Sequence, residues 1–96
     1  MNNLTSKVIN WAEQRGILEA KDSKTQTLKL MEEVGELCES VLKDKNPIDD
    51  IGDCTVVLTI IAAIHGLTLE QCLEHAYNEI KGRTGQLVDG TFIKDE

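Results

Sequence analysis

The sequence has 96 residues, a formal net charge of −7, and one each of Trp, Tyr and Phe. This length predicts a single domain over residues 1–96, with an aliphatic core that a partner subunit would help to complete. The acidic balance argues against binding duplex nucleic acid, which calls for a basic surface. It does not exclude a phosphorylated small molecule, because bound divalent cations can reverse the local charge.

The N-terminus shows no basic-then-apolar signal pattern. The longest apolar run, residues 56–64, is far shorter than the ~20 residues that cross a bilayer. We therefore expect a cytoplasmic protein without membrane association. Cys38, Cys54 and Cys72 are far apart and form no Cys-x-x-Cys motif. This usage disfavours a zinc knuckle and predicts free, buried thiols.

Apolar side chains at helical spacing predict four helices. The first covers about residues 4–16 and includes Trp11, which is expected either to anchor the core or to stack on a nucleobase. The second covers about residues 24–43. Ser23 is its expected N-cap, and Gln26 is the expected partner of Ser23 in a capping box.

The third helix is predicted from about residue 47 to 65. Asn46 can cap this helix, and Pro47 suits its first helical position. Because residues 43–47 form only a short connection, the second and third helices should be antiparallel neighbours.

The C-terminal part predicts one more helix and a hairpin. Thr68 and Gln71 form the expected capping box of the fourth helix. After this helix, Asp89-Gly90 lies between two short β-prone runs, which indicates a hairpin turn.

Acidic residues on the second and third helices form two pairs at i, i+3 spacing. These pairs are Glu33 with Glu36, and Asp50 with Asp53. The spacing puts both members of a pair on one helix face, and antiparallel packing can bring the two pairs together. A wheel at roughly 100° per residue places Asp53 in the apolar sector of the third helix. A carboxylate there needs a proton, a partner or a metal ion.

The neighbouring charges have simpler explanations. Asp50 lies in a first helical turn, where the helix dipole favours acids, and Glu32 points away from the apolar stripe. Lys29 falls on the same side as Glu33 and Glu36. It could form a surface ion pair, or it could be a cation beside a metal site at the position of a phosphate.

Two interpretations of the acids remain open, a metal site and a structural polar cluster. Oxygen-only ligands suit Mg²⁺ or Mn²⁺ better than Zn²⁺. A di-iron bundle would need Glu-x-x-His pairs, but neither His65 nor His75 has an acid three residues earlier. Both histidines are expected to be structural or solvent-facing.

The acid motif, Glu32-Glu33-x-x-Glu36 and then Asp50-x-x-Asp53, resembles that of the MazG-like members of the all-α nucleoside triphosphate pyrophosphohydrolase superfamily. The family signature is Glu-Glu-x-x-Glu, followed after a gap by Glu-x-x-Asp. Asp50 stands where the family has Glu, so it would reach the same ion with a shifted backbone or through water. Segments 10–16 and 78–94 extend the resemblance over nearly the whole chain.

The resemblance implies Mg²⁺-dependent hydrolysis of a nucleoside triphosphate to the monophosphate and pyrophosphate, with a dNTP as the expected substrate and Mn²⁺ as the other candidate ion. It implies an all-α, four-helix MazG-like bundle with a short C-terminal hairpin-like tail, assembled as a homodimer or a dimer of dimers. The implied metal ligands are Glu33, Glu36, Asp50 and Asp53. The implied catalytic residues are Glu32, Glu33, Glu36 and Asp53, with Glu32 as a further ligand or as the base that orients water. The implied substrate-binding residues are Lys29, Gln26, Trp11, Asn78, Lys81 and Arg83.

Two alternatives accompany this interpretation. Phosphoribosyl-ATP pyrophosphohydrolases use a similar acidic helix pair, so the chain could act on that substrate. It could also be a non-catalytic helical module for regulation or interaction that retains the fold.

Overall fold

The computed structural model describes residues 2–20 and 22–96. Within them are four α-helices, α1 (Asn2–Gln14), α2 (Lys24–Leu42), α3 (Ile48–Ile64) and α4 (Leu69–Ile80). Two antiparallel strands follow, β1 (Gly85–Val88) and β2 (Thr91–Lys94), and a short 3₁₀ helix, Ile17–Ala20, lies between α1 and α2. This confirms a mainly helical chain with a hairpin tail, while the MazG-like arrangement and the oligomer stay predictions.

The capping box predicted at the start of α4 is confirmed, whereas α3 begins one residue later than predicted, at Ile48, with Pro47 as its N-cap. At α4, the Gln71 backbone N–H donates to Thr68 Oγ1 at 3.1 Å, and the Thr68 N–H donates to Gln71 Oε1 at 2.9 Å. At α3, the Ile48 N–H donates to Asn46 Oδ1 at 3.1 Å. Each bond satisfies an amide that the helix itself leaves without an acceptor.

The capping box predicted at Ser23 is wrong. Ser23 has φ −82° and ψ −2°, and its side chain makes no capping hydrogen bond. A capping side chain normally needs an extended backbone to reach the amides of the first turn. Instead, Asp22 Oδ1 accepts the Lys24 N–H at 2.9 Å, and Ser23 Oγ lies 2.8 Å from His65 Nε2. The Ser23 side chain therefore joins the start of α2 to the residue after α3.

The core is built around α3. This helix packs against α1, α2 and α4, and its contact with α2 is the most extensive in the molecule. Apolar residues surround most of α3, as expected for a helix covered on several sides. Its buried side chains are Cys54, Val57, Thr59, Ile60 and Ala62.

Trp11 does not anchor this core. It is 44% exposed, whereas the adjacent Ala12 is completely buried. The Arg15 guanidinium lies 4.5 Å from the Trp11 ring centroid, a distance typical of a cation–π contact. The core-anchor interpretation is therefore wrong for the single chain, because α1 turns its small residue inward.

The predicted burial of all three cysteines is also wrong. All three thiols are free, but only Cys54 is buried, while Cys38 and Cys72 are exposed. Their helical spacing placed them on apolar faces, but those parts of α2 and α4 have no covering element in the single chain.

No single helix within the described residues combines the length and apolar character needed to span a membrane. Only α3 and α4 together reach that composition, and they meet at a bend of 98°.

Candidate metal centre between α2 and α3

Glu33 is the one buried residue of α2, across the fully described range 24–42. It is 6% exposed. One stripe of α2 is at least half-buried, and it contains Leu30, Glu33, Leu37 and Ser40. Their i, i+3, i+7, i+10 spacing puts these side chains on one face of the helix. Glu33 therefore lies in the packed face of its helix and not at its margin.

One oxygen of Glu33 has a partner and the other does not. Lys29 Nζ lies 3.1 Å from Glu33 Oε1, so the ion pair, one of the two alternatives considered for Lys29, is formed. Glu33 Oε2 is buried without a hydrogen-bond partner among the described residues. A buried acceptor without a donor costs free energy, so this oxygen calls for a proton or a cation.

Glu36 is exposed and lies next to Glu33, as predicted. The pKa of Glu36 is raised, mainly because its protonated carboxyl can donate a hydrogen bond to Glu33. Repulsion from the Glu33 charge is the next cause. The two carboxylates repel each other when both are ionised, so a proton or a cation between them would be favourable.

Lys29 responds to the same acids. Its pKa is raised by the hydrogen bond to Glu33 and by the charges of Glu32 and Glu33. Glu32 Oε1 is 3.5 Å from Lys29 Nζ, and both of these side chains are about half exposed. Lys29 is thus a charged, accessible ammonium at the edge of the acid cluster.

Cys54 marks the position of the acids of α3. Burial raises the pKa of this thiol, and the negative charges of Glu33, Asp50 and Asp53 raise it further. Acids from both helices therefore surround a neutral thiol. Sequence reasoning missed Cys54 as a member of this group, although it lies four residues after Asp50, a spacing that puts both on one face.

The degree of burial differs from the prediction. Asp50 is half-buried and Asp53 is exposed, so the inference that Asp53 faces the core is wrong. Asp53 does lie one turn before the buried Val57. A helical wheel gives this angle, but it does not show whether another element covers the face, and no element within residues 2–20 and 22–96 buries Asp53.

The acids are neighbours, but they do not converge in this conformation. Within residues 2–20 and 22–96, no three carboxylate, imidazole or thiol groups are arranged to hold an ion among them. The structure therefore shows an acid cluster with one orphaned buried oxygen and no finished ligand set.

The predicted substrate-binding residues lie in different parts of the molecule. Trp11 lines an apolar cavity of about 290 Å³ together with Lys7 and Val56, and Val56 lies one turn after Asp53. Gln26 is half-buried on α2, seven residues before Glu33.

The other three follow at the far end of the helical region. Asn78, Lys81 and Arg83 are exposed, and within the described part of the chain neither basic residue forms an ion pair. The structure does not bring these three residues to the acids.

No known family model and no solved structure matches the chain. The chain is similar to an uncharacterized 18.2 kDa protein from the rep–hol intergenic region of Haemophilus phage HP1 (strain HP1c1), with 44% identity over 64 residues. Those residues are 65% of this chain and 39% of the phage protein, so the chain spans about two fifths of that relative's length.

Proposed function

We propose that the chain is a Mg²⁺-dependent hydrolase that converts a nucleoside triphosphate, with a dNTP as the expected substrate, to the monophosphate and pyrophosphate. The observation that carries the proposal is Glu33 Oε2, a buried carboxylate oxygen without a partner. Glu36 lies beside it, and Asp50 and Asp53 on α3 act, like Glu33, on the thiol of Cys54. So many acids with a single lysine favour a divalent cation.

The donor set fits Mg²⁺, with Mn²⁺ as the second candidate. Glu33, Glu36, Asp50 and Asp53 would supply only oxygen ligands, which hard cations prefer. The raised pKa of the Cys54 thiol keeps sulfur from competing as a thiolate. When bound, the ion would polarise the phosphoryl group and lower the pKa of a coordinated water.

Side chains around the acids would handle the substrate. Lys29 would bind a phosphate oxygen, because it stays charged and accessible. Glu32, exposed beside it, would orient the attacking water as a base. Trp11 would stack on the nucleobase, and its apolar cavity of about 290 Å³ suits a flat ring.

A second copy of the chain would complete the site. Gln26, Asn78, Lys81 and Arg83 are proposed as further substrate contacts, although the last three do not reach the acids in the single chain. We propose a homodimer or homotetramer in the cytoplasm. In support, the Cα radius of gyration is 15.8 Å, against about 12 Å for a compact chain of this length.

The proposal is tested by incubating the protein with Mg²⁺ and a panel of dNTPs, NTPs and phosphoribosyl-ATP, with identification of both products. We expect monophosphate and pyrophosphate. Glu36→Gln and Asp53→Asn should each abolish release with helicity unchanged, whereas Glu39→Gln, an exposed α2 acid paired with Lys43, should be active. Unchanged turnover in both site variants would reject the assignment.

A non-catalytic module is the second candidate, because the described residues contain no ready three-ligand set. Calorimetric titration with Mg²⁺ separates the two functions. Binding, together with thermal stabilisation by Mg²⁺ plus nucleotide, supports the hydrolase. If neither binding nor thermal stabilisation is seen at millimolar Mg²⁺, the result supports the non-catalytic module.

A further inference from the structure

Helix α4 is amphipathic, but its apolar stripe is exposed to solvent. Leu73, Tyr77 and Ile80 form one stripe at i, i+4, i+7, and each is more than half exposed. Across residues 69–80, all of them described, no side chain is buried. A helix in a protein gains most of its stability by burying such a stripe, so α4 lacks its counterpart.

The hairpin of β1 and β2 is in the same situation. Its turn residues have positive φ, 49° at Asp89 and 81° at Gly90, as a tight two-residue hairpin turn requires. Leu87 pairs with Phe92 on one face, and Leu87 is 74% exposed. An isolated two-stranded hairpin is marginal in water, so this one needs a surface to pack on.

The Leu87–Phe92 face is well defined. A Cβ at Gly85 would collide with the Phe92 ring and the Ile93 carbonyl oxygen, so the ring lies across the bare glycine backbone. Aromatic cover of a strand glycine fixes hairpin register. The face is therefore a preformed apolar surface.

Charge distinguishes α4 from the hairpin. Residues 69–80 carry three acids and no Lys or Arg. Residues 81–96 carry three basic and three acidic residues, so the hairpin segment has no net charge. In a chain of net charge −7, such a segment approaches the acidic helix with little repulsion.

We infer that the hairpin of one copy packs, through its Leu87–Phe92 face, on the α4 stripe of a second copy. Within the described residues the hairpin makes no extensive contact with any helix of its own chain. A two-fold axis would let each copy cover the other's α4, so that both apolar surfaces are buried and the assembly closes.

The available area fits this arrangement. A half-exposed aliphatic or aromatic side chain presents roughly 100 Å². Leu73, Tyr77 and Ile80, together with the Leu87–Phe92 face, thus offer on the order of 500 Å² per copy. The two copies together would bury about 1,000 Å², which reaches the lower bound expected of a biological interface.

Sedimentation equilibrium and native mass spectrometry test the inference. Wild type should contain at least two 10.7 kDa chains. Leu87→Glu on the hairpin and Tyr77→Glu on α4 should each halve the number of chains per particle. Thr91→Glu, which projects from the opposite hairpin face, is the matched control and should keep the wild-type mass. Circular dichroism checks that all variants stay helical.

Mixing the two disrupted variants tests exchange between copies. A heterodimer of Leu87→Glu and Tyr77→Glu chains has one intact hairpin–α4 contact, whereas each homodimer has none. The mixture should therefore form a heterodimer that neither variant forms alone. A monomeric wild type, unchanged mass in both variants, or a mixture without heterodimer would each overturn the inference. The readout is mass alone, so it is independent of the proposed hydrolysis.

Discussion

The α2–α3 pair and the α4–hairpin region differ in which side chains are in an unfavourable environment. The helix pair buries a carboxylate, Glu33, in its packed face. The C-terminal region leaves an apolar stripe and an apolar strand pair in water. A buried charge and an exposed apolar face both cost free energy. The proposed cation would offset the first cost, and the proposed contact with a second copy would offset the second.

The largest expected effect on stability comes from the core. Ile60 on α3 is 3% exposed, so Ile60→Ala should lower the free energy of unfolding by about 2–5 kcal/mol. Leu73→Ala on α4 should cost far less in a dilute, monomeric sample, because Leu73 is already exposed. Urea unfolding measures both. Equal losses would show that α4 is buried even in the monomer, and the contrast between the regions would fail.

The buried acid should dominate ion binding. Glu33→Gln removes the buried carboxylate whose Oε2 has no partner, so Mg²⁺ affinity should fall by roughly tenfold to a hundredfold. Stability without metal should hold or rise, since the variant no longer buries an ionised carboxylate.

Isothermal titration and urea unfolding read these two quantities. Glu39→Gln on the exposed side of α2 controls for the loss of one charge. Full Mg²⁺ affinity in Glu33→Gln would mean that the acid cluster is purely structural.

The cap of α4 gives a smaller effect. Thr68→Ala removes the acceptor for the Gln71 amide and should cost about 1 kcal/mol. Thr68→Ser keeps the hydroxyl and should be nearly neutral. Helicity and thermal unfolding measure the difference. If α4 is stabilised only in the assembly, Thr68→Ala should lose more helicity at low protein concentration than at high protein concentration.

The mildest prediction concerns pH. The pKa of Glu36 is raised above 4.5, so the folded state holds this proton more tightly than the unfolded state. The resulting stabilisation is fully present below about pH 4.5 and is lost as the pH rises through the raised pKa. Glu36→Gln lacks this pH dependence.

Urea unfolding without metal should therefore show wild type gaining stability relative to Glu36→Gln as the pH falls. Glu39→Gln again controls for charge. Parallel stability curves for wild type and Glu36→Gln would show that Glu36 and Glu33 do not share a proton.

Local chemistry was predictable from the sequence. Thr68 and Gln71, and the Asp89-Gly90 turn, act through neighbours within three residues, so their spacing carries the information. Ser23 shows the limit of this reasoning. Its pattern matched a capping box, but a residue 42 positions away, His65, takes its side chain. No local rule contains that contact.

The burial of the candidate site residues was not predictable from the sequence. The spacing of Glu33, Glu36, Asp50 and Asp53 predicts only that each pair lies on one face of its helix. The sequence placed the deepest acid on α3, whereas the structure buries the one on α2. Burial depends on which element covers a face, and a helical wheel holds only the angle.

The Ser23–His65 hydrogen bond has a consequence for motion. The peptide chain through residues 43–47 closes α2 and α3 at one end, and this bond ties their other ends. Two helices fastened at both ends cannot splay without breaking one fastening, so their amides should open to solvent as one cooperative unit. Within the described residues the hairpin makes no extensive contact with a helix, so its amide protons should exchange first. We therefore expect the amides around the acid cluster to be among the slowest to exchange.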